Sequence, residues 1–177
     1  MNRLVATIGL VVCVVVTVPL AIPGQPLRTP AVASTLAAVD RTVYRCESTA
    51  QATDCRRGAD PAERLAGQRL TEIALLYRDG RLVRTTYVFN ESGFDKIASE
   101  LTAAFGTPMP GHELLRAGMA GVFENRYYIW EDGDQTWFAE QYFERVTTGA
   151  LWHMDSAEFA ALQAERDRSR VRGARDL

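Results

Sequence analysis

Few residues in this chain of 177 have side chains suited to acid–base or nucleophilic catalysis. There are two histidines, His112 and His153, and three cysteines. The sequence has no Gly-x-Ser-x-Gly nucleophile elbow, no His-x-x-x-His metal pair and no Cys-x-x-Cys redox pair. This composition excludes metal sites that need many His and Cys ligands. We therefore expect no metal and no cofactor.

Acidic residues are more frequent, but their spacing does not indicate a site. The segment Glu131–Asp134 is rich in carboxylates, yet Gln135, Thr136 and Trp137 follow it at once with a strand-like pattern. An EF-hand would need alternating oxygen ligands over a loop of about twelve residues. Asp-Gly within this segment is typical of a hairpin turn. We interpret it as a turn and not as a calcium site.

The net charge of the chain does not favour an anionic partner. The formal net charge is −2, with 20 Lys and Arg against 22 Asp and Glu. Nucleic-acid binding driven by positive charge is therefore not expected. With 47% apolar and 24% charged residues, the composition is that of an ordinary globular domain.

The N-terminus has the pattern of an export signal. Arg3 precedes an uncharged apolar run, Leu4–Ile22, and Ala31-Val32-Ala33 places small residues before a predicted cleavage at Ser34. The run is also nearly long enough to span a bilayer. Residues 1–33 are therefore either a cleaved signal peptide or an N-terminal anchor. The first alternative predicts a periplasmic or secreted protein, and the second an inner-membrane anchor with the domain outside the cytoplasm.

Two cysteines, Cys46 and Cys55, remain beyond residue 33. An even number of cysteines in an exported chain favours a disulfide, because exported proteins fold in oxidising compartments. The flanking residues predict two short strands, over 42–46 and 51–57, which the disulfide would join.

An α+β fold is predicted for a single domain over residues 34–164. Two hairpins would form its antiparallel sheet, the first over 68–89 and the second over 122–143, with a further short strand over 150–154. A helix over 92–105, with Ser92 as its N-cap, would pack on the sheet. A C-terminal helix would begin at Asp155-Ser156, and 165–177 would be a charged tail.

Three local details of the fold are also predicted. In the first hairpin, a three-residue loop Arg78–Gly80 would pair Leu75 with Val83. This register places six residues on one face: Ile73, Leu75, Tyr77, Val83, Tyr87 and Phe89. Asp60-Pro61-Ala62-Glu63 has the pattern of a short helix start. Residues 109–120, rich in Pro and Gly, are expected to form a loop or a single helical turn.

Aromatic residues are concentrated in the second hairpin and the strand that follows it. Because side chains alternate along a strand, both faces of that hairpin are apolar. One face would cover the core, and the other needs the chain's own termini or a partner. If a protein partner or a glycan covers that face, Tyr128 and Trp130 are the binding candidates. The aromatic residues are Tyr127, Tyr128, Trp130, Trp137, Phe138, Tyr142, Phe143 and Trp152.

The order of these elements resembles small exported proteobacterial proteins of unknown function, similar in build to envelope modules of the SmpA/OmlA type. The resemblance implies an envelope location and a sheet covered by helices, and it implies no active-site residue. The chain departs from that type in lacking the lipoprotein cysteine. The segments that carry the resemblance are Cys55, Leu65–Gly67, Asp79–Leu82, Phe89, Phe94–Leu101, Phe105–Pro108 and Trp130–Gly133.

We therefore expect an exported, non-enzymatic binding module with an envelope protein as its partner. Membrane contact would occur only through residues 4–22, if these stay uncleaved. One alternative is a small envelope hydrolase that uses His112 or His153 with dispersed acids. Another is a secreted enzyme inhibitor that inserts its 107–120 loop into a target. The sequence leaves the oligomeric state open.

Overall fold

The computed structural model describes residues 28–116 and 121–175. The apolar run Leu4–Ile22, predicted as signal or anchor, lies outside these residues. Within the described ranges, no helix has both the length and the apolar character that a membrane span requires.

Nine strands and two α-helices are present in the described part of the chain. The strands are β1 (Arg45–Ser48), β2 (Thr53–Gly58), β3 (Arg64–Leu65), β4 (Gln68–Arg78), β5 (Arg81–Asn90), β6 (Met109–Arg116), β7 (Val122–Asp132), β8 (Gln135–Glu140) and β9 (Thr148–Asp155). The helices are α1 (Phe94–Phe105) and α2 (Ser156–Arg175).

The strands form one antiparallel sheet in the order β1-β2-β4-β5-β9-β8-β7-β6, and β3 pairs with β4 beside this path. The α+β class is therefore confirmed, but the sheet is much larger than the two predicted hairpins. β9 joins the two halves, because it pairs with β5 on one side and with β8 on the other. Helix α1 covers one face of the sheet and α2 covers the other.

β6 replaces the loop predicted after α1. Its Pro and Gly content favoured a loop, but β6 lies at the edge of the sheet, where a proline need not donate to a neighbouring strand. Gly111 is required there by close approach, since a Cβ at this position would lie 2.2 Å from Cζ of Tyr127. The edge position thus explains the proline, and the close approach of Tyr127 explains the glycine.

The β4–β5 hairpin has a tighter turn than predicted. Arg78 pairs with Arg81 across Asp79 and Gly80, both with positive φ, and a bulge then lets Leu75 pair with Thr85. The predicted pairing of Leu75 with Val83 is wrong because the extra residue lies within the strand and not in the turn. The pairing is shifted by two residues from the predicted one, so the side chains stay on the predicted faces of the sheet. Five of the six residues assigned to one face are buried in the α1-side core: Ile73, Leu75, Tyr77, Tyr87 and Phe89.

The helix predicted to begin at Asp60 does not form. Asp60 and Glu63 do make the side-chain contacts of a helix start, since Asp60 accepts from the Ala62 amide and Glu63 accepts from the Asp60 amide. However, Glu63 is also held by Arg57, and Arg64-Leu65 then pairs with β4 as strand β3. The contacts therefore close a turn.

Helix α1 begins two residues later than predicted. Ser92 is not its N-cap: Gly93 holds that position without a side-chain cap, and Asn90 caps the preceding 3-10 turn, where its Oδ1 accepts from the Ser92 amide at 3.1 Å. The apolar face is as predicted, and the helix ends at Gly106 with φ +84°. The buried residues of α1 are Phe94, Ile97, Ala98 and Leu101.

The Cys46–Cys55 disulfide is confirmed, and it joins directly paired residues of β1 and β2. Cys55 is fully buried in the α1-side core. A disulfide is compatible with an oxidising compartment outside the cytoplasm.

Residues 33–36 form a strap along the β4–β5 hairpin. Tyr77 Oη donates to the carbonyl of Ala33 at 2.7 Å, and Leu82 N donates to the carbonyl of Ser34 at 3.1 Å. Leu36 N donates to the carbonyl of Gly80 at 2.9 Å. The predicted cleavage position before Ser34 therefore lies within a segment that is bonded to the folded sheet.

Candidate functional site

A cavity of about 660 Å³ lies between the sheet and α2, and we call it the α2 cavity. This volume is in the range of small-molecule sites, roughly 300–1,000 Å³. Its walls are mainly apolar and aromatic, and they come from β6, β9, α2 and the loop between β8 and β9. The apolar lining residues are Leu115, Tyr142, Phe143, Val146, Trp152 and Leu162.

The cavity exists because α2 has few apolar residues. Phe159 and Leu162 are the α2 side chains that pack against the small core on this face. From Gln163 to Arg168 the helix has no large apolar side chain, so it leaves open space against β6 and β7. An amphipathic stripe that continued along the helix would have filled this space.

Charged and polar side chains meet at one end of the α2 cavity. β6 contributes Glu113, β7 contributes Asn125, β8 contributes Glu140 and α2 contributes Arg166. Glu144 and Arg145 are exposed at its rim. The alternation of β6 explains why Glu113 and Leu115 both face the cavity.

Arg166 joins two carboxylates from different strands. Its Nη1 and Nη2 each donate to Oε2 of Glu140 at 3.2 Å, and Nη2 also donates to Oε1 of Glu113. The guanidinium lies 5.1 Å from the centre of the Phe138 ring. Asn125 is held nearby by hydrogen bonds with the backbone of Tyr142.

Within this cluster, Glu140 is the residue with a strongly shifted pKa. It is only 5% exposed, and burial raises its pKa to about 7, although Arg166 favours the ionised form. Desolvation therefore outweighs the ion pair. A carboxyl group with a shifted pKa in an apolar cavity is a recognised indicator of a functional site.

Two smaller cavities adjoin the first on the other side of Leu162, with volumes of about 190 and 320 Å³. Arg84 lines both and lies 3.5 Å from Glu158. Arg78 contacts the same glutamate at 3.0 Å. The open space on this face therefore continues around Leu162, and ion pairs hold the first turn of α2 to the sheet.

Neither histidine lines the α2 cavity. His112 is exposed on β6 and, by alternation, faces away from Glu113. His153 stacks on Trp137 with ring centres 4.0 Å apart, on the α1 side of the sheet, and burial lowers its pKa. The structure does not bring either histidine together with the Glu113–Glu140 pair. In the 107–120 segment of the inhibitor alternative, Met109–Arg116 form strand β6.

The aromatic binding candidates lie under α1. Trp130 is 2% exposed, and its indole N–H donates to the carbonyl of Gly106 at 3.1 Å. Tyr128 is partly buried and stacks on Phe94 with ring centres 5.5 Å apart. The opposite face of the hairpin, with Tyr127 and Phe138, packs under α2. Both faces are thus covered by the chain's own helices.

Sequence reasoning missed Glu113, Asn125, Glu140 and Arg166. One signal was available, because Glu140 ends the apolar strand segment Trp137-Phe138-Ala139, where a carboxylate is unusual. Arg166 was assigned to the solvated tail at 165–177, but α2 continues through these residues to Arg175. Among the described residues, no cluster of His, Cys, Asp and Glu has an arrangement suited to a metal ion.

Comparisons of the chain with protein families, with curated proteins and with solved structures found no match. The resemblance to SmpA/OmlA-type modules therefore stays a prediction that depends on the quoted sequence segments.

Proposed function

We propose that this protein is an exported, non-enzymatic binding module whose ligand site is the α2 cavity. One observation carries the proposal: a largely apolar cavity of about 660 Å³ with a buried carboxylate and a guanidinium at one end. Small-molecule sites combine an apolar lining with a few placed polar groups in this way.

The N-terminal pattern and the disulfide support export. Residues 1–33 have the order of a signal peptide or anchor, and Cys46–Cys55 suits an oxidising compartment. We assign the protein to the periplasm or the extracellular space, or to the outer side of the inner membrane if Leu4–Ile22 is retained.

The α2 cavity is favoured over the aromatic hairpin because of access. A protein partner that contacts Trp130 would have to displace α1, which packs through four buried residues. The α2 cavity is open and needs no such displacement. Binding of an envelope protein through Tyr128 and Trp130 remains a prediction of the sequence.

A neutral hydrophobic dye tests the proposal. N-phenyl-1-naphthylamine should bind one-to-one, with a saturable rise in its fluorescence. Val146→Trp should weaken dye affinity by about tenfold or more, since the indole would occupy space that the dye needs.

The matched control is Val43→Trp, which makes the same substitution at an exposed position that does not line the cavity. It should leave dye affinity unchanged. Non-saturable binding, or equal affinity in the two tryptophan variants, would overturn the proposal. Circular dichroism on both variants checks that the fold is retained.

A further inference from the structure

Glu140 and its surroundings indicate the charge of the ligand. The carboxylate of Glu140 lies at the wall of the α2 cavity with 7% of its side chain exposed, and Arg166 is the described cation that contacts it. Arg166 also pairs with Glu113, so its positive charge is divided between two carboxylates.

This arrangement leaves Glu140 with a fractional proton at neutral pH. Its pKa is raised to about 7: burial is the main cause and Glu113 adds to it, while Arg166 and Asn125 act in the opposite direction. A cation placed beside the carboxylate would displace that proton and form a charge-assisted hydrogen bond. An anion would meet the same two carboxylates, and the Arg166 guanidinium that could attract it is already paired with both of them.

The apolar part of the site also suits a cation. Trp152, Phe143 and Tyr142 line the same cavity as the carboxylates, and aromatic rings can attract positive charge. The Arg166 guanidinium already uses such a contact with Phe138, at 5.1 Å from the ring centre. The rim charges, Glu144 and Arg145, are opposite in sign and exposed.

We propose that the α2 cavity selects a small organic amine, with its ammonium group at Glu140 and its apolar group against Trp152 and Phe143. This inference rests on the proposed function and adds the chemical class of the ligand. The ammonium hydrogen-bonds to Glu140 beside Arg166, and no covalent step is involved.

Three probes of matched shape separate this inference from the proposed function: hexylamine, hexanol and hexanoate. Titration calorimetry at neutral pH should give one-to-one binding of the amine about tenfold tighter than the alcohol, and weaker binding of the carboxylate. Measured in two buffers of different ionisation enthalpy, amine binding should release a fraction of a proton per site.

Glu140→Gln tests the residue itself. The variant keeps the side-chain shape, and it should abolish both the preference for the amine and the proton release. The matched control is Glu124→Gln, at an exposed position of β7 that does not line the cavity, and it should retain both. A preference for the amine that survives Glu140→Gln would overturn the inference.

The pH profile of the unmodified protein provides a test that needs no variant. Affinity for hexylamine should rise from about pH 6 to about pH 8, as the competing proton leaves Glu140, while affinity for hexanol should not. A flat amine profile overturns the inference. If hexanol binds as tightly as hexylamine, the amine inference fails and the binding function stands; if neither these probes nor the dye binds, both fail.

Discussion

The two helices that cover the faces of the sheet differ in how closely they pack against it. On one face, α1 uses 12 residues to bury Phe94, Ile97, Ala98 and Leu101 against a large core. On the other, α2 has 20 residues, and those up to Arg168, whose side chains are described, pack through Phe159 and Leu162 on a small core. The longer helix therefore covers its face less completely.

This difference places most of the apolar packing on one face of the sheet and the proposed binding site on the other. The same strands supply both faces, because β9 directs Leu151 into the α1-side core and Trp152 towards α2. The α1 face holds most of the buried apolar surface, which is the main source of stability. The α2 face contains the cavity and the buried ionisable cluster, which resemble a ligand site.

The largest effect should come from Leu101→Ala on the α1 face. Leu101 is fully buried, so its truncation should lower the free energy of unfolding by about 3–4 kcal/mol through lost burial and a new cavity. Urea denaturation followed by tryptophan fluorescence measures this loss. A cost below about 1 kcal/mol would show that the α1 face is loosely packed and would remove the contrast.

A smaller effect should come from pH acting on the α2 face. The pKa of Glu140 is about 7 in the folded protein against an ordinary value of 4.5, so the folded state binds this proton more tightly than the unfolded state. The free energy of unfolding should therefore fall as pH rises from about 4.5 to about 7, by at most about 3 kcal/mol from this group, and then level off.

Glu140→Gln should remove this component, so the difference between its stability profile and that of the unmodified protein isolates it. Glu144→Gln, on the exposed rim, should follow the unmodified protein. Parallel profiles for the Glu140 variant and the unmodified protein would contradict the assignment.

The smallest effect should come from Leu162→Ala, the same substitution as in the first prediction but on α2. Leu162 is half-buried and borders space that is already open, so we expect a loss of only about 1 kcal/mol. The same denaturation experiment gives the ratio of the two leucine effects. Equal costs would mean that α2 packs as firmly as α1.

Much of the fold could be predicted from local sequence patterns. The apolar spacing of α1 and the alternation of β4 and β5 predicted which side chains are buried, and these face assignments held even though the turn was misplaced. The order of the strands could not be predicted from local patterns, because the pairing of β5 with β9 joins residues far apart in the sequence. Local signals were also misleading at three positions. Pro110 and Gly111 indicated a loop but lie in the edge strand β6. Asp60 indicated a helix start, but the Arg57–Glu63 pair holds a turn there.

The candidate site was harder to predict from the sequence than the fold. Glu113, Glu140 and Arg166 come from three elements separated by long stretches of chain, and no local spacing connects them. The aromatic candidates stood out because they are numerous, but their number reflects the two packed faces of the hairpin. Burial of one carboxylate depends on neighbours that only the tertiary structure supplies.

The strap along the β4–β5 hairpin has a consequence for the order of events in biogenesis. Its carbonyls at Ala33 and Ser34 are bonded by Tyr77 and Leu82. A peptidase that cuts before Ser34 needs this segment extended and free, so the predicted cleavage would have to precede closure of the hairpin. Export, cleavage and folding would then occur in a fixed sequence, and a chain that folds too early would keep its N-terminal segment.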